Sequence, residues 1–427
     1  MLVNHSRESK MAVSDLEFAV RELKLDDELS ITGYSVEWIL TKLHEHSPEF
    51  VEKLGDGKVK NIAAFEVGAG HGFLSRVFKV EIEFDNSSSS TYSCIMKIPT
   101  HEHFADYHKK IESSEEEIKD GKRRVLEMHD VECQGYALVN EISGFPTPKA
   151  FYIQESNEQY SGLIIMEDLS SIGTTVGIFY SAPAPLCFTV ARHVAVFQSH
   201  MENVSKDKWS GRFTSSWHVG PISKGWSKVF KQVQDYNHSI QPFFDVLLQM
   251  DFLKLSMYTL IDYPNQNDLV TLTHADLWLN NMLIKKNVDG TVSNEVVAYI
   301  DFQTIFEASP LLDIARFVVN CADSDVRREN DRQIVDCYYD VLVEEYRKYD
   351  KQPKFRREEA FELYELAMVQ ETITLVFMFY ICAYPLIGKP EADEKVAKLW
   401  KRTRDAVEDS LPVVQKYELL EHCRLND

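Results

Sequence analysis

The sequence predicts an α+β fold with a smaller N-terminal part containing an antiparallel sheet and a larger, mainly helical C-terminal part. Two runs alternate between apolar and polar residues, 78–84 and 92–98, and the turn-forming segment 85–90 separates them, which predicts a hairpin of two strands. Downstream, the apolar run 374–387 is shorter than the ~20 residues that a membrane span needs, so it predicts a buried core helix. We expect two lobes, at 1–167 and 168–427.

Composition narrows the classes of function. The chain has 427 residues, with 46 Lys and Arg against 67 Asp and Glu, and its formal net charge is −21. The electric field of a protein with this negative charge repels polyanions, so we do not expect nucleic acid as a partner. The seven cysteines form no CxxC pair, and the first residues lack the apolar core of a signal peptide. We therefore expect a cytoplasmic protein without a membrane span.

The N-terminal part begins with a predicted helix. Ser35 precedes VEWILTKLHEH, in which Val36, Ile39, Leu40 and Leu43 share one face, so serine is expected to cap an amphipathic helix.

The segment VGAGHGF places glycines at alternate positions, at Gly68, Gly70 and Gly72. A nucleotide-binding βαβ unit or an S-adenosylmethionine-dependent methyltransferase would continue into a helix, since the ligand binds at a helix N-terminus. Here an alternating strand pattern follows instead, which favours a glycine flap over nucleotide phosphates. Glycine spacing alone is weak evidence, so the alternatives stay open.

Lys97 and Glu132 are a candidate ion pair. Lys97 lies beside Ile95 on one face of the second strand, where an ammonium can reach phosphates, although most strand lysines simply face solvent. The pattern 122–138 is helical, and Glu132 falls on its apolar face, whereas Glu127 lies about 140° away. A buried carboxylate needs a cation, and Lys97 is the expected partner unless Glu132 is hydrated at the edge.

The strongest pattern is HADLWLNN followed by VVAYIDFQ. Phosphoryl transfer needs a carboxylate to orient and deprotonate the attacking hydroxyl and hard oxygen ligands for Mg²⁺. Asp276 has the spacing of the first group. Asn281, five residues later, and Asp301, at the end of a strand after an Asp289–Gly290 turn, have the spacing of the second.

These motifs, with IMEDL at 165–169 and SPLLDIARF at 309–317, resemble the CHK-kinase-like or ecdysteroid-kinase-like family of nematodes and insects, within the choline kinase and aminoglycoside phosphotransferase superfamily. The resemblance implies a bilobal protein-kinase-like fold. It also implies ATP and Mg²⁺ as cosubstrate and cofactor, and transfer to a hydroxyl of a small molecule.

Carried over residue by residue, the resemblance makes Asp276 the catalytic base, with His274 bracing its loop, and makes Asn281 and Asp301 the metal ligands. It makes Lys97 the phosphate-binding lysine with Glu132 as its partner.

The hinge between the lobes would be Met166, Glu167 and Asp168, whose backbone groups would bind adenine. Asp313 would fasten the catalytic loop from a helix that Ser309 is expected to cap, unless Asp313 is only a first-turn acid.

Two positions depart from the family pattern: Ala275 replaces a common glycine, and Gln303 replaces the glycine of protein kinases. Trp278 is expected to pack rather than face substrate, and HEHFADYH at 101–108 is expected to be a surface loop rather than a metal site.

We expect the acceptor to contact residues within 180–265 and 330–400, where the many aromatic residues are compatible with a steroid or lipid-like alcohol. Two other hypotheses remain: a catalytically inactive nucleotide-binding or scaffold protein, and the methyltransferase.

Overall fold

The computed structural model describes residues 24–67, 74–85, 91–100, 115–157, 162–214, 229–237 and 241–425. The chain divides into two compact units. The first comprises Met1–Asn140 with Pro148–Asp168, and the second Glu141–Thr147 with Leu169–Asp427. The short segment Glu141–Thr147 groups with the second unit because the backbone N–H of Tyr299 donates to the carbonyl of Pro146 at 2.9 Å and the rings of Phe145 and Tyr299 stack at 4.8 Å.

The first unit contains an antiparallel sheet. Among the described residues, its five strands lie in the order β1-β2-β3-β5-β4, and each neighbouring pair is antiparallel. Two short helices precede the sheet in the chain, and one long helix separates β3 from β4 in the sequence. The elements are α1 (Val36–His46), α2 (Pro48–Leu54), β1 (Val59–Val67), β2 (Ser75–Phe84), β3 (Thr91–Pro99), α3 (Glu115–Val139), β4 (Ala150–Gln154) and β5 (Leu163–Glu167).

Local sequence explains these elements. The hydroxyl of Ser35 accepts a hydrogen bond from the backbone N–H of Trp38 at 3.3 Å, so the predicted cap of α1 is confirmed. The four apolar residues on its predicted face are all buried. In β3, alternate side chains enter the core that the sheet shares with α1 and α2, as the period of two predicts: Tyr92, Cys94, Met96 and Ile98.

The second unit is mainly helical. It also has a three-stranded sheet in the order β6-β8-β9 and the two-stranded pair β7-β10. The strands are β6 (Gly173–Thr174), β7 (Thr271–Thr273), β8 (Met282–Lys286), β9 (Val292–Tyr299) and β10 (Phe306–Ala308). The helices are α4 (Ala184–Asn203), α5 (Lys206–Trp209), α6 (Gln241–Leu247), α7 (Phe252–Met257), α8 (Tyr263–Asn265), α9 (Leu312–Cys321), α10 (Ser324–Arg347), α11 (Arg357–Cys382), α12 (Asp393–Lys416) and α13 (Leu419–Cys423).

The predicted apolar core helix lies within α11, which is 26 residues long. Among the described helices, α11 together with its extension to Leu386 is the one whose length and composition would allow it to span a membrane. However, 67% of its most apolar stretch is buried inside the protein. Residues such as Ile373, Val376 and Phe379 belong to the core of the second unit. The helix therefore packs as a core element.

The antiparallel sheet with one long helix between its third and fourth strands, followed by a mainly helical unit, is an α+β fold of the protein-kinase-like type. The predicted fold class is confirmed.

Candidate functional site

The predicted ion pair of the first unit is present. Lys97 Nζ on β3 lies 2.6 Å from Glu132 Oε1 on α3, and Glu132 is fully buried while Lys97 is 9% exposed. Glu127 is exposed and lies 3.7 Å from the Arg123 guanidinium, so it is not the partner. Because both members of the pair are removed from water, each depends on the other for charge compensation.

The three predicted glycines, at 68, 70 and 72, lie outside the described residues. The strands on either side of them are described, and they pair antiparallel, with Val67 opposite Val77. The strands β1 and β2 are therefore antiparallel neighbours, and the glycine flap between them stays a prediction. A βαβ unit would place a parallel strand beyond a helix.

The predicted hinge coincides with the end of β5. The Asp168 carboxylate accepts a hydrogen bond from Ser93 Oγ at 2.7 Å and lies 3.4 Å from Lys79 Nζ. The Glu167 carboxylate accepts from the backbone N–H of Lys149 at 3.3 Å. These side chains make contacts within the first unit, so binding of adenine by this segment remains a prediction about its backbone groups.

In the second unit, Asp276 and Asn281 are in direct contact. The Asn281 amide nitrogen donates to Asp276 Oδ2 at 2.8 Å and to the Asp276 carbonyl at 2.9 Å. Since a carboxylate can only accept, the amide nitrogen faces Asp276 and the Asn281 Oδ1 atom points elsewhere. The spacing of five residues thus closes a compact loop around the predicted base.

His274 braces this loop through both ring nitrogens. Nε2 lies 3.1 Å from the carbonyl of Ile300, which requires the ring proton on Nε2, and Nδ1 then accepts from the backbone N–H of Asp276 at 3.4 Å. Thr304 Oγ1 donates to the His274 carbonyl at 3.1 Å, and the His274 ring lies 4.8 Å from that of Phe302. The predicted bracing contacts are therefore present.

The segments carrying the two predicted metal ligands are neighbours. The backbone N–H of Ile300 donates to the carbonyl of Asn281 at 3.0 Å, and Asp301 follows directly. Asp301 has a positive φ of 71°, and Gln303 Nε2 donates to its Oδ2 at 3.3 Å. An amide oxygen and a carboxylate on adjoining segments form a donor set that suits Mg²⁺, a hard cation that prefers oxygen.

Asp313 fastens the loop through its backbone. Its two carboxylate oxygens accept from the backbone N–H groups of His274 and Ala275, each at 2.9 Å. Burial raises the pKa of Asp313, while these hydrogen bonds and His274 act in the opposite direction. Ala275 has a φ of +59°, a left-handed conformation that glycine adopts without strain.

The predicted helix cap at Ser309 is wrong. Helix α9 begins at Leu312 and its N-cap residue is Leu311. Ser309 is fully buried, and its backbone N–H donates to the carbonyl of Leu260 at 2.8 Å, while its carbonyl accepts from the N–H of Leu312 at 3.0 Å. Tertiary contact to Leu260 thus places a turn at the Ser-Pro pair, and the helix starts after it.

Sequence analysis missed two site residues, Arg316 and Glu371. One guanidinium nitrogen of Arg316 makes a short ion pair with Asp276 Oδ1, and the other lies 3.0 Å from Glu371 Oε2. Asn320 Nδ2 also donates to Glu371 Oε2, at 3.2 Å. Glu371 is 2% exposed although it lies in the apolar helix α11, the same signal that identified Glu132.

Burial and the neighbouring opposite charges act in opposite directions on the pKa values of Arg316 and Glu371. Burial alone would lower the pKa of Arg316, but the carboxylates of Glu371 and Asp276 outweigh that effect and hold its pKa above the ordinary value. Burial raises the pKa of Glu371, and Arg316 counteracts this. The guanidinium is thus permanently charged between two carboxylates.

Two further predictions concern Trp278 and the segment 101–108. Trp278 is half-buried and packs against the core of the second unit. The segment 101–108 lies outside the described residues. Within the described ranges, no group of three or more His, Cys, Asp or Glu side chains is arranged to hold a metal ion by itself.

The fold and this loop define a kinase-like protein. The family model DUF1679, described as "Uncharacterized oxidoreductase dhs-27", matches residues 52–415, so the chain belongs to the DUF1679 family. A curated relative from Caenorhabditis elegans, named uncharacterized oxidoreductase dhs-27, is 22% identical over 380 residues. The match covers 86% of this chain but only 44% of that relative, so the chain corresponds to less than half of the relative's length.

Among solved structures, a putative aminoglycoside phosphotransferase from Ralstonia eutropha JMP134 is similar with a TM-score of 0.46 and 12% identity, covering 86% of this chain and 97% of that one. The GDP complex of wild-type aminoglycoside 2'-phosphotransferase-IIIa has a TM-score of 0.41 and 12% identity, covering 87% and 99%. Because these TM-scores and identities are low, the fold is assigned from the strand order and helices of this chain rather than from the similar structures.

Proposed function

We propose that this chain is an ATP- and Mg²⁺-dependent phosphotransferase that phosphorylates a hydroxyl group of a small molecule. The observation that carries the proposal is the Asp276–Asn281 contact, in a loop whose backbone is hydrogen-bonded to the segment leading into Asp301. ATP would supply the phosphoryl group, and Mg²⁺ would neutralise charge on the phosphate oxygens.

The residues of the chain have separate roles in this proposal. The Asp276 carboxylate orients the acceptor hydroxyl and accepts its proton, while His274 and Asp313 hold the loop. Asn281 Oδ1 and the Asp301 carboxylate are the proposed metal ligands. In the first unit, the Lys97 ammonium, kept in place by Glu132, is the proposed phosphate contact.

The name of the curated relative does not lead us to propose an oxidoreductase. Every strand pair in the described ranges is antiparallel, whereas the dinucleotide-binding fold requires parallel strands joined by helices. The same observation disfavours the methyltransferase alternative. More than half of the relative lies outside the match.

The acceptor class and compartment are also proposals. We retain an alcohol with an apolar body as the acceptor, because partly buried aromatic residues, including Phe179, Phe377 and Tyr384, pack along the core of the second unit. All seven cysteines are free thiols, which supports a reducing compartment such as the cytoplasm.

The test replaces Asp276 by Asn and follows phosphate transfer from Mg-ATP to a mixture of hydroxylated small molecules by mass spectrometry. A positioned base contributes ~10²–10⁴-fold, so the variant should lose about that much of the rate. Asp289→Asn, in the exposed turn between β8 and β9, is the matched control and should keep the wild-type rate. An Asp276→Asn variant with undiminished transfer would refute the assigned role. Tight binding of Mg-ATP by the wild type without any product would favour the scaffold alternative.

A further inference from the structure

We propose that Arg316, held by Glu371, is a positioning residue that fixes the orientation of the Asp276 carboxylate for the acceptor hydroxyl. This inference rests on the proposed phosphotransfer function. It gives a role to Arg316 and Glu371, two residues that the sequence motifs did not identify.

The first step is the coordination of the Asp276 carboxylate. Its Oδ2 atom accepts from Asn281 Nδ2 at 2.8 Å, and its Oδ1 atom accepts from Arg316 Nη2. Each oxygen therefore has its own donor, and the two donors come from different elements, the loop itself and helix α9. A carboxylate bound at both oxygens cannot rotate about its terminal bond without breaking a charge-assisted hydrogen bond.

The second step is the support behind Arg316. Its Nη1 atom donates to Glu371 Oε2 at 3.0 Å, and Asn320 Nδ2 donates to the same oxygen at 3.2 Å. Asn320 also donates to the carbonyl of Arg316 at 2.9 Å, one turn earlier on α9. The guanidinium plane is thus fixed between two carboxylates, and Glu371 ties it to α11.

The third step is the arrangement along α9. Asp313, Arg316 and Asn320 follow one another at intervals of three and four residues, so they share one helix face. Asp313 holds the backbone of the loop at His274 and Ala275, and Arg316 holds the reactive side chain of the same loop. One rigid helix thus sets both the path of the loop and the direction of its carboxylate.

Such positioning matters because a misplacement of about 1 Å can cost ~10²-fold in rate. Lysine cannot replace the arginine fully, since an ammonium lacks the planar fork that reaches two carboxylates in fixed directions.

The experiment compares Arg316→Met, Arg316→Lys and Arg316→Ala with wild type, using Mg-ATP alone as the probe and water as the acceptor. We expect kcat for ATP hydrolysis to fall ~10- to 100-fold in Arg316→Met with the KM for ATP within about twofold of wild type. Arg316→Lys should keep more activity than Arg316→Met. Millimolar guanidinium should restore part of the kcat of Arg316→Ala.

Arg327→Met is the matched control. Arg327 is a buried helical arginine of the same unit, 2% exposed and ion-paired with Asp409, on helix α10 rather than α9. Its replacement should lower the melting temperature while kcat stays at the wild-type value. Equal losses of kcat in both variants, or an unchanged kcat in Arg316→Met, would overturn the positioning role.

A crystal structure of Arg316→Met separates this inference from the proposed function. The expected result is that the Asp276 carboxylate turns away and the 2.8 Å contact with Asn281 is lost. An unchanged carboxylate would overturn the positioning role even if the chain transfers phosphate. A wild-type chain that transfers phosphate neither to water nor to any hydroxylated small molecule would contradict the proposed function, while the carboxylate orientation would still be decided by this structure.

Discussion

At the scale of single residues, the Lys97–Glu132 pair illustrates why a buried charge depends on its partner. Glu132 is fully buried on α3, and its Oε1 atom lies 2.6 Å from Lys97 Nζ. Removing one partner of such a pair leaves an uncompensated ion and costs ~3–5 kcal/mol, whereas replacing both by apolar residues is often neutral.

The first prediction follows from that asymmetry. Lys97→Met should lower the free energy of unfolding by about 3–5 kcal/mol, and Lys97→Met combined with Glu132→Leu should recover most of that loss. Urea titration measures both. The double variant should remain inactive if Lys97 contacts phosphate. Lys60→Met, at a lysine of β1 with a 67% exposed side chain and an exposed partner, Glu83, is the control and should change stability much less. Additive losses in the double variant would contradict the prediction.

Backbone strain at Ala275 gives a second prediction at this scale. A φ of +59° crowds the Cβ atom, and only glycine adopts this region freely. Ala275→Gly should therefore raise the free energy of unfolding by up to ~1 kcal/mol, and Ala275→Val should lower it. Ala315→Gly, within helix α9, should instead destabilise by roughly 0.5–1 kcal/mol. Thermal unfolding of the three variants decides whether the loop is strained.

At the scale of elements, helix α9 organises the loop that precedes it in the chain. Asp313 lies in the first turn, where an acid also suits the helix dipole, but both of its oxygens are used by N–H groups of His274 and Ala275. This arrangement requires two acceptors in one plane. An amide has one acceptor and would turn its own N–H groups towards a backbone donor.

Asp313→Asn should therefore destabilise the protein by ~1–3 kcal/mol and reduce transfer, because one backbone N–H loses its acceptor in a buried site. Hydrogen exchange at the His274 or the Ala275 amide should accelerate, depending on which one loses its acceptor, and urea unfolding gives the energy. Asp325→Asn, at a 74% exposed acid in the first turn of α10, should shift stability by no more than about 0.5 kcal/mol. Normal protection of both amides in Asp313→Asn would show that the carboxylate does not hold the loop.

The sequence predicts those helices and strands in which buried side chains recur at a regular spacing along the chain. The apolar face of α1 and the alternation of β3 could be predicted because each follows from the spacing of apolar residues. The Lys97–Glu132 pair could be predicted because Glu132 is an acid on an apolar helix face and therefore needs a cation. The start of α9 could not, because a contact with Leu260, distant in sequence, places a turn at Ser309. Arg316 and Glu371 lie 55 residues apart, so their pairing has no local pattern, although a lone acid in the apolar stretch of α11 indicates a buried partner.

At the scale of the whole molecule, the chain has an excess of acidic residues, although basic side chains lie at its candidate sites. The net charge is −21, yet Lys97 and Arg316 are each held next to carboxylates inside their own units. Under the proposed function, cations at the site must offset the overall negative charge for an anion such as ATP to bind. The same pairing makes stability depend on pH, since buried groups titrate differently in the folded and unfolded chains.

A buried histidine, His129, and a half-buried one, His193, define the last prediction. Burial lowers the pKa of His129 and of His193 from 6.5 to about 4, and His193 Nδ1 lies 3.1 Å from the Tyr299 hydroxyl. Because the folded chain keeps these rings neutral while the unfolded chain protonates them, their contribution is complete above pH 6.5 and is lost as pH falls towards 4. Through each ring, the free energy of unfolding falls on the order of 3 kcal/mol between neutral pH and pH values below 4.

His193→Gln should lower stability at pH 7 and make the decline between pH 6.5 and 4 shallower, by up to about 1.4 kcal/mol per pH unit, because one fewer proton is taken up on unfolding. Urea unfolding at several pH values measures this slope. Val194→Ala, at the adjacent buried position of α4, is the matched control: it should lower stability at every pH while keeping the wild-type slope. Parallel curves for His193→Gln and wild type would mean that the His193 ring titrates alike in the folded and unfolded chains, and its burial against Tyr299 would then contribute nothing to acid sensitivity.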